Sequence, residues 1–163
     1  MPASTTANKH RAAPAEQTLV IRRSFDAPRD LLWKVWSDPE QAKNWWGPEG
    51  FTAPVVELDV HSGGKWRAMM RSPDGKELWQ HGVYREIVPP EKTSFTFIWD
   101  ENPEAETLVT ITFEARGNKT DMVFRQTPFT SVEDRNAQEG GWNESFDRFA
   151  AYLKKVGGRT NAR

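Results

Sequence analysis

The sequence predicts an α+β domain in which a curved antiparallel sheet packs against one long C-terminal helix. Three observations support this fold class. Short runs of alternating, β-branched and aromatic residues occupy most of the chain between positions 53 and 126. Turn residues separate these runs at hairpin spacing, and the last apolar stripe has a helical period. The length of 163 residues suits one domain.

The first elements are a strand and two short helices. Residues 18–25 form a β-branched run that ends before Asp26-Ala27-Pro28. Pro28 suits the first position of a helix, and Leu31, Leu32, Val35 and Trp36 then share one helical stripe. Asp38 as N-cap and Pro39 as first residue predict a second helix to about residue 44.

Six further strands are predicted after the helices, at residues 55–60, 65–72, 77–88, 93–99, 107–115 and 120–126. The segments Pro73-Asp74-Gly75-Lys76 and Gly117-Asn118 have the composition of hairpin turns. Connections of this length imply antiparallel pairing. A sheet of this size is expected to twist and curve.

The C-terminal helix is predicted at about residues 141–156, where Trp142, Phe146, Phe149 and Leu153 form one apolar stripe. Thr130-Ser131-Val132-Glu133 is similar to a capping box, but Gly140-Gly141 predicts an irregular start to this helix. The domain is therefore expected to span residues 18–156. Residues 1–17 are predicted to be a disordered leader and residues 157–163 a flexible tail.

Composition excludes several classes of protein. The net charge is -1, so neither nucleic acid nor an anionic membrane is an expected partner. The chain has no cysteine, which excludes disulfides and Cys-type zinc sites. Without a secretory signal or an apolar run of membrane-spanning length, a cytoplasmic location is expected.

The topology predicts a cavity. One long helix covers one face of a curved sheet, which leaves space between them, and the chain has eight tryptophans to line it. The alternative is that these aromatic side chains meet and fill the gap as an ordinary core. A usable pocket would be mostly apolar, with a few polar groups.

Several motifs resemble a known family in order and spacing. They are Trp45-Trp46-Gly47-Pro48-Glu49-Gly50-Phe51, Asp59-Val60-His61-Ser62-Gly63-Gly64, Pro73-Asp74-Gly75, the segment 82–91 (GVYREIVPPE), and Gly141-Trp142. Together they resemble the Hsp90-ATPase-activator-like (AHSA-type) family of the START (SRPBCC, pollen-allergen-like) superfamily. The resemblance covers about residues 18–156.

The resemblance implies a helix-grip fold with the order β-α-α-β6-α and a hydrophobic ligand cavity. It also implies a START-like binding protein, with a role in stress response, rather than one reaction, because a shared fold does not determine function. The family usually has arginine where this chain has His61, so an ion pair at that turn is expected to be pH-dependent or lost. No counterpart of the eukaryotic activator's N-terminal domain is evident, which argues against a full co-chaperone role.

The candidate ligand-binding residues are the aromatic, Met and carboxylate side chains expected around this cavity. These candidates come from the predicted cavity mouth, the inner face of the sheet and the C-terminal helix: Trp45, Trp46, Trp66, Met70, Tyr84, Glu86, Phe97, Trp99, Phe113, Phe124, Trp142, Phe146 and Phe149. The family pattern favours Tyr84 and Glu86 on the inner face of their strand. Glu86 would then be a structural hydrogen-bond acceptor, a polar handle for ligand or a general base. Trp79 and His81 would face outward, and an exposed Trp79 suggests a self-association patch and a homodimer.

Catalysis has little support. His10, His61 and His81 lack metal-ligand spacing, and neither a G-x-S-x-G elbow nor a phosphate loop is present, so no metal or cofactor is expected. The leading hypothesis is a cofactor-free binder of a small apolar or aromatic ligand. The alternative is a protein-interaction module with a chaperone partner. A small hydrolase or cyclase using Glu86 or Asp59 is the third hypothesis.

Overall fold

The computed structural model describes residues 16–161, with side chains described as far as residue 157. The elements follow the predicted order of one strand, two short helices, six strands and a long helix. They are β1 (Leu19–Phe25), α1 (Arg29–Ser37), α2 (Pro39–Ala42), β2 (Thr52–Leu58), β3 (Lys65–Arg71), β4 (Glu77–Val88), β5 (Lys92–Trp99), β6 (Asn102–Arg116), β7 (Lys119–Thr127) and α3 (Val132–Asn161).

The seven strands form one antiparallel sheet in the order β1-β7-β6-β5-β4-β3-β2. Each consecutive pair from β2 to β7 is joined by a short connection, whereas β1 lies at the far edge beside β7. The sheet curves into a half-barrel around α3. The predicted antiparallel sheet and the helix-grip fold are thus both confirmed.

Helix α3 is longer and more regular than predicted. It begins at Val132, where the Ser131 hydroxyl accepts a hydrogen bond from the Asp134 N–H at 3.1 Å, one residue later than the expected capping box. The helix continues through Gly140-Gly141 without a break. A Cβ at position 141 would lie 3.8 Å from Pro48 Cγ, so this glycine lies where the helix approaches the 47–51 loop. No helix within residues 16–161 is both long and apolar enough to cross a bilayer.

Ordered structure lies just outside both predicted domain limits, residues 18 and 156. The Phe129 N–H donates to the Gln17 carbonyl at 2.8 Å, and Arg135 donates to the Glu16 carbonyl at 3.3 Å. Residues 16 and 17 therefore pack on the domain, and the rest of the predicted leader lies outside the described residues. Helix α3 also extends through 157–161, past the helix end predicted at residue 156.

Trp36 of α1 occupies the space between the sheet and α3. Its ring centroid lies 4.8 Å from that of Trp45, 6.4 Å from that of Phe95 on β5, and 6.2 Å from that of Trp142 on α3. The two short helices thus insert aromatic side chains into the gap that topology alone leaves between sheet and helix. Trp36 was predicted only as part of an apolar stripe. Its burial fills one end of the expected cavity with protein.

Candidate functional site: a cleft at the N-terminal half of the long helix

A partly open cleft of about 580 Å³ lies between the N-terminal half of α3, the 46–51 segment and strands β3 to β7. Its volume is in the range of small-molecule pockets, roughly 300–1,000 Å³. The apolar part of its lining consists of Trp46, Pro48, Phe51, Met70, Leu78, Phe97, Trp99, Ala105, Pro128, Phe129, Ala137 and Trp142. The polar part includes Gln80, Thr107, Gln126 and Ser145 inside and several carboxylates at the mouth.

The cleft includes only part of the predicted set of ligand-binding residues. Trp46, Met70, Phe97, Trp99 and Trp142 line it. The other aromatic candidates are buried in the core and do not line it; they are Trp45, Trp66, Tyr84, Phe113, Phe124, Phe146 and Phe149. The division arises because α1 and α2 fill the space beside these core residues, as Trp36 does.

Glu86 was predicted to face inward, and this prediction is wrong. The β4–β5 pairing shifts by one residue between Tyr84 and Glu86, which is the signature of a β-bulge at Arg85. The extra residue reverses the alternation of the strand, so Glu86 is exposed and its Oε1 lies 3.0 Å from Lys92 Nζ. Glu86 is therefore neither a cavity carboxylate nor a buried general base.

The other orientations predicted for β4 are confirmed. Gln80, Gly82 and Tyr84 are buried, whereas Trp79 and His81 lie on the outer face. The Arg67 guanidinium lies 4.8 Å from the centre of the Trp79 ring. Burial, with a smaller contribution from the Asp59 charge, raises the pKa of Tyr84 far above its usual range, so the phenol stays neutral.

Two hydrogen-bonded tryptophan–glutamine pairs lie in the mostly apolar cleft wall. Trp46 Nε1 donates to Gln80 Oε1 at 2.9 Å, and Trp142 Nε1 donates to Gln126 Oε1 at 2.9 Å. Both glutamines are almost fully buried. The pairs satisfy the indole donors, which a buried tryptophan requires.

The 46–48 segment is held against α3 by Arg148. Its Nη1 lies within hydrogen-bond distance of the carbonyls of Trp46, Gly47 and Pro48, at 3.3, 2.7 and 3.0 Å. Partial burial lowers the pKa of Arg148. The Glu49 N–H also donates to the Glu144 carboxylate at 3.0 Å. These contacts fix the wall of the cleft that carries Trp46.

The mouth of the cleft is acidic. Its charged lining residues are Glu101, Glu104, Glu106 and Asp134, and no Lys, Arg or His is among the described residues that line it. Glu106 has an arginine nearby, with Arg85 Nη2 4.0 Å from its Oε2. A cleft lined by charge of one sign attracts the opposite charge and repels its own.

The histidines that the structure describes lie away from the cleft. His61 is exposed, and its Nδ1 lies 2.8 Å from Asp59 Oδ1; His81 is half-buried, and its Nδ1 lies 2.5 Å from Asp100 Oδ1. Within residues 16–161 no group of three His, Cys, Asp or Glu side chains has the arrangement of a metal site. Inside the cleft the polar side chains are the neutral Gln80, Thr107, Gln126 and Ser145, between apolar walls.

Gln80 and Gln126 were not among the predicted ligand-binding residues. Both alternate with outward residues on strands whose inner face is apolar, so a glutamine at such a position was a signal for a buried polar contact. Their tryptophan partners lie 34 and 16 residues away, and the sequence alone does not show that pairing.

Comparison with known proteins supports the resemblance. The model of the Activator of Hsp90 ATPase homolog 1-like protein family matches residues 26–154. No curated protein is significantly similar to the chain.

Solved structures share the fold. A crystal structure from Chromobacterium violaceum is 26% identical, covers 85% of this chain and 97% of its own, and superposes with a TM-score of 0.76. The AHSA1 protein of Silicibacter pomeroyi is 27% identical, with coverage of 85% and 99% and a TM-score of 0.78. A solution structure from Arthrobacter aurescens is 26% identical, with coverage of 90% and 91% and a TM-score of 0.77.

Proposed function

We propose that this chain, which belongs to the Activator of Hsp90 ATPase homolog 1-like protein family, binds a small molecule in its cleft. The ligand is uncharged and apolar or aromatic. The observation that carries the proposal is the cleft itself: about 580 Å³, with aromatic and aliphatic walls and buried amides. Ligand burial against such walls would contribute roughly 25 cal/mol per Å² of apolar surface, before the costs of ordering.

The wall residues favour a flat or aromatic ligand. Trp46, Trp99 and Trp142 each present indole surface to the cleft, and Phe97 adds a further ring. Aromatic pairs gain about 0.5–1.5 kcal/mol beyond area burial when they stack offset or edge to face. The flexible Met70 side chain would let the wall adjust to ligands of different outline.

The acidic mouth favours neutral ligands over anions. A carboxylate or sulfonate would have to approach Glu101, Glu104 and Asp134, and no Lys, Arg or His lines the cleft within the described part of the chain. Fatty acids and anionic dyes are therefore poor candidates, and the first probe should carry no negative charge.

Replacing Gly141 with leucine should weaken binding of the neutral fluorophore N-phenyl-1-naphthylamine at least about tenfold, a loss of about 1.4 kcal/mol. The new side chain would project from α3 beside Pro48, where both residues line the cleft, and would occupy ligand space. Fluorescence titration of the folded protein measures the dissociation constant directly.

Gly140→Leu is the matched control. Gly140 is not among the residues that line the cleft, and a Cβ there meets nothing within 4 Å, so this leucine would extend into open space outside the cleft. Both substitutions replace a helix-interior glycine and raise helix propensity by a similar amount, roughly 0.5–1 kcal/mol. The proposal is wrong if the wild-type protein shows no saturable binding, or if the two variants bind the probe equally well.

An interaction with an Hsp90-type ATPase is the second candidate function, favoured by the family's description. A chaperone contact would use the outer surface, whereas Gly141→Leu alters the cleft. Stimulation of the cognate ATPase that survives Gly141→Leu would therefore separate such an activity from ligand binding.

A further inference from the structure

We infer that the Gln80 side-chain amide donates a hydrogen bond to an uncharged oxygen acceptor on the ligand, such as a ketone, amide or ether oxygen. The inference rests on the proposed function and specifies the chemistry of the same cleft. It assigns Gln80 as the residue that orients the ligand, and it predicts a ligand that is apolar except for one inward-facing acceptor.

The orientation of the Gln80 amide is set by Trp46. An indole N–H can only donate, so the atom 2.9 Å from Trp46 Nε1 must be the amide oxygen. The second terminal atom of the amide is therefore the nitrogen, Nε2. This NH₂ group can donate two hydrogen bonds and cannot accept one.

That NH₂ group has no hydrogen-bond partner among residues 16–161, although Gln80 has a relative exposure of 0% and lines the cleft. A buried donor without a partner costs about 1–3 kcal/mol. A ligand that supplies an acceptor at this position would remove that cost on binding. A hydrocarbon of the same shape would not.

Gln126 shows the same arrangement with its donor already satisfied. Its Oε1 accepts from Trp142 Nε1, and its Nε2 donates to the Thr107 hydroxyl at 2.9 Å. Thr107 in turn donates to the Phe97 carbonyl at 3.3 Å. Of these two buried amides in the cleft wall, Gln80 alone therefore has an NH₂ group without a protein partner, and a ligand acceptor reaches it once the side chains that cover it move.

The acceptor is expected to be neutral. Amide donors can bind carboxylates, but the mouth carries Glu101, Glu104 and Asp134 without a lining cation among the described residues. The residues around Gln80, such as Leu78 and Met70, are apolar and provide no counter-charge for an anion. An oxygen without formal charge satisfies the donor with a much smaller desolvation cost.

The test compares 2-acetylnaphthalene with 2-ethylnaphthalene. The two probes have the same naphthalene ring and similar shapes, but only 2-acetylnaphthalene has a carbonyl oxygen. Both are measured by displacement of N-phenyl-1-naphthylamine from wild type, Gln80→Met and Gln126→Met. The quantity of interest is the ratio of the two dissociation constants, which cancels general changes in the cleft. Gln80→Met should reduce the preference for the ketone about tenfold relative to wild type.

Gln126→Met is the matched control, because it also removes the acceptor of a buried indole and deletes an equally buried amide. Gln126→Met should leave the ketone preference within about twofold of wild type, because the NH₂ group of Gln126 in the wild-type protein is already bonded to Thr107. An unchanged ratio in Gln80→Met, or equal reductions in both variants, would overturn the inference. Failure of the probe to bind at all would instead overturn the proposed function.

A measurement on the wild-type protein avoids dependence on variant folding. The Gln80 side-chain amide protons should move downfield in the ¹H–¹⁵N spectrum on saturation with 2-acetylnaphthalene, and by much less with 2-ethylnaphthalene. The Gln126 amide should respond similarly to both. Equal responses of the Gln80 amide to the two probes would contradict a hydrogen bond to the ketone.

Discussion

Replacing Gly82 with alanine is expected to lower the free energy of unfolding by about 3 kcal/mol or more. Gly82 lies on β4 where the Trp66 indole crosses the strand, and Trp66 Nε1 donates to the Thr96 carbonyl of β5 at 2.9 Å. A Cβ at position 82 would lie 1.8 Å from that carbonyl oxygen and 2.4 Å from the indole nitrogen. The backbone of two strands would have to separate.

The clash has little room for relief because the obstructing oxygen belongs to the backbone. The Val83 N–H is also tied to the Thr96 side chain at 2.8 Å, which holds β4 and β5 together beside Gly82. Urea denaturation of the purified variant, followed by tryptophan fluorescence, measures the change. Loss of the folded state altogether would agree with the prediction.

Gly140→Ala serves as the comparison. Its Cβ would meet nothing within 4 Å, so it should stabilise the protein by up to about 1 kcal/mol through helix propensity. A Gly82→Ala protein with wild-type stability would show that the Trp66–Thr96 crossing is not the close contact described above.

Trp45→Ala is the second change with a large expected effect, a loss of about 3–5 kcal/mol in the free energy of unfolding. Trp45 is fully buried, stacks on Trp36 with ring centroids 4.8 Å apart, and contacts Phe149 edge to face at 4.9 Å. Its Nε1 donates to the Val35 carbonyl at 3.1 Å. Truncation would leave a large cavity and an unpaired carbonyl between α1 and α3.

Trp79→Ala is the appropriate control, since the same residue type is removed from the outer face of the sheet. That ring is partly exposed and lies beside the Arg67 guanidinium, so its loss should cost no more than about 1 kcal/mol. Chemical denaturation of both variants gives the comparison. Equal destabilisation by the two substitutions would contradict the assignment of Trp45 to the core.

The strands and their pairing could be predicted from the sequence because the signals are local. Alternation on β6 marks the buried face directly, and the turn at Gly117 determines how β6 meets β7. The length of α3 was underestimated mainly at its start. Residues 132–140 are helical although none of their side chains is fully buried, and the Ser131 cap and the acidic first turn with Glu133 and Asp134 favour this extension rather than core packing.

The orientation of Glu86 could not be predicted, because a bulge inserts one residue without a distinctive composition. Residues 84–86 read as ordinary alternating strand, and only the pairing with β5 shows that Arg85 is the extra residue. The family pattern was of no help at this position, since it predicted an inward carboxylate that is in fact paired with Lys92 on the surface.

The position of the cleft was also beyond sequence reasoning. Whether a gap between sheet and helix is filled depends on where α1 and α2 pack, and Trp36 and Trp45 fill one end of it. What stays open lies at the β5–β6 end, beside Trp99 and Ala105. The Gln80–Trp46 pair depends on the same tertiary placement.

The indole N–H signals of the eight tryptophans give the most direct test of ligand binding in the cleft. On titration with N-phenyl-1-naphthylamine, the resonances of Trp46, Trp99 and Trp142 should shift together and saturate with one dissociation constant, because these rings line the cleft. Those of Trp33 and Trp79 should stay in place. Saturating shifts confined to Trp33 or Trp79, or a spectrum that does not change, would contradict binding in the cleft.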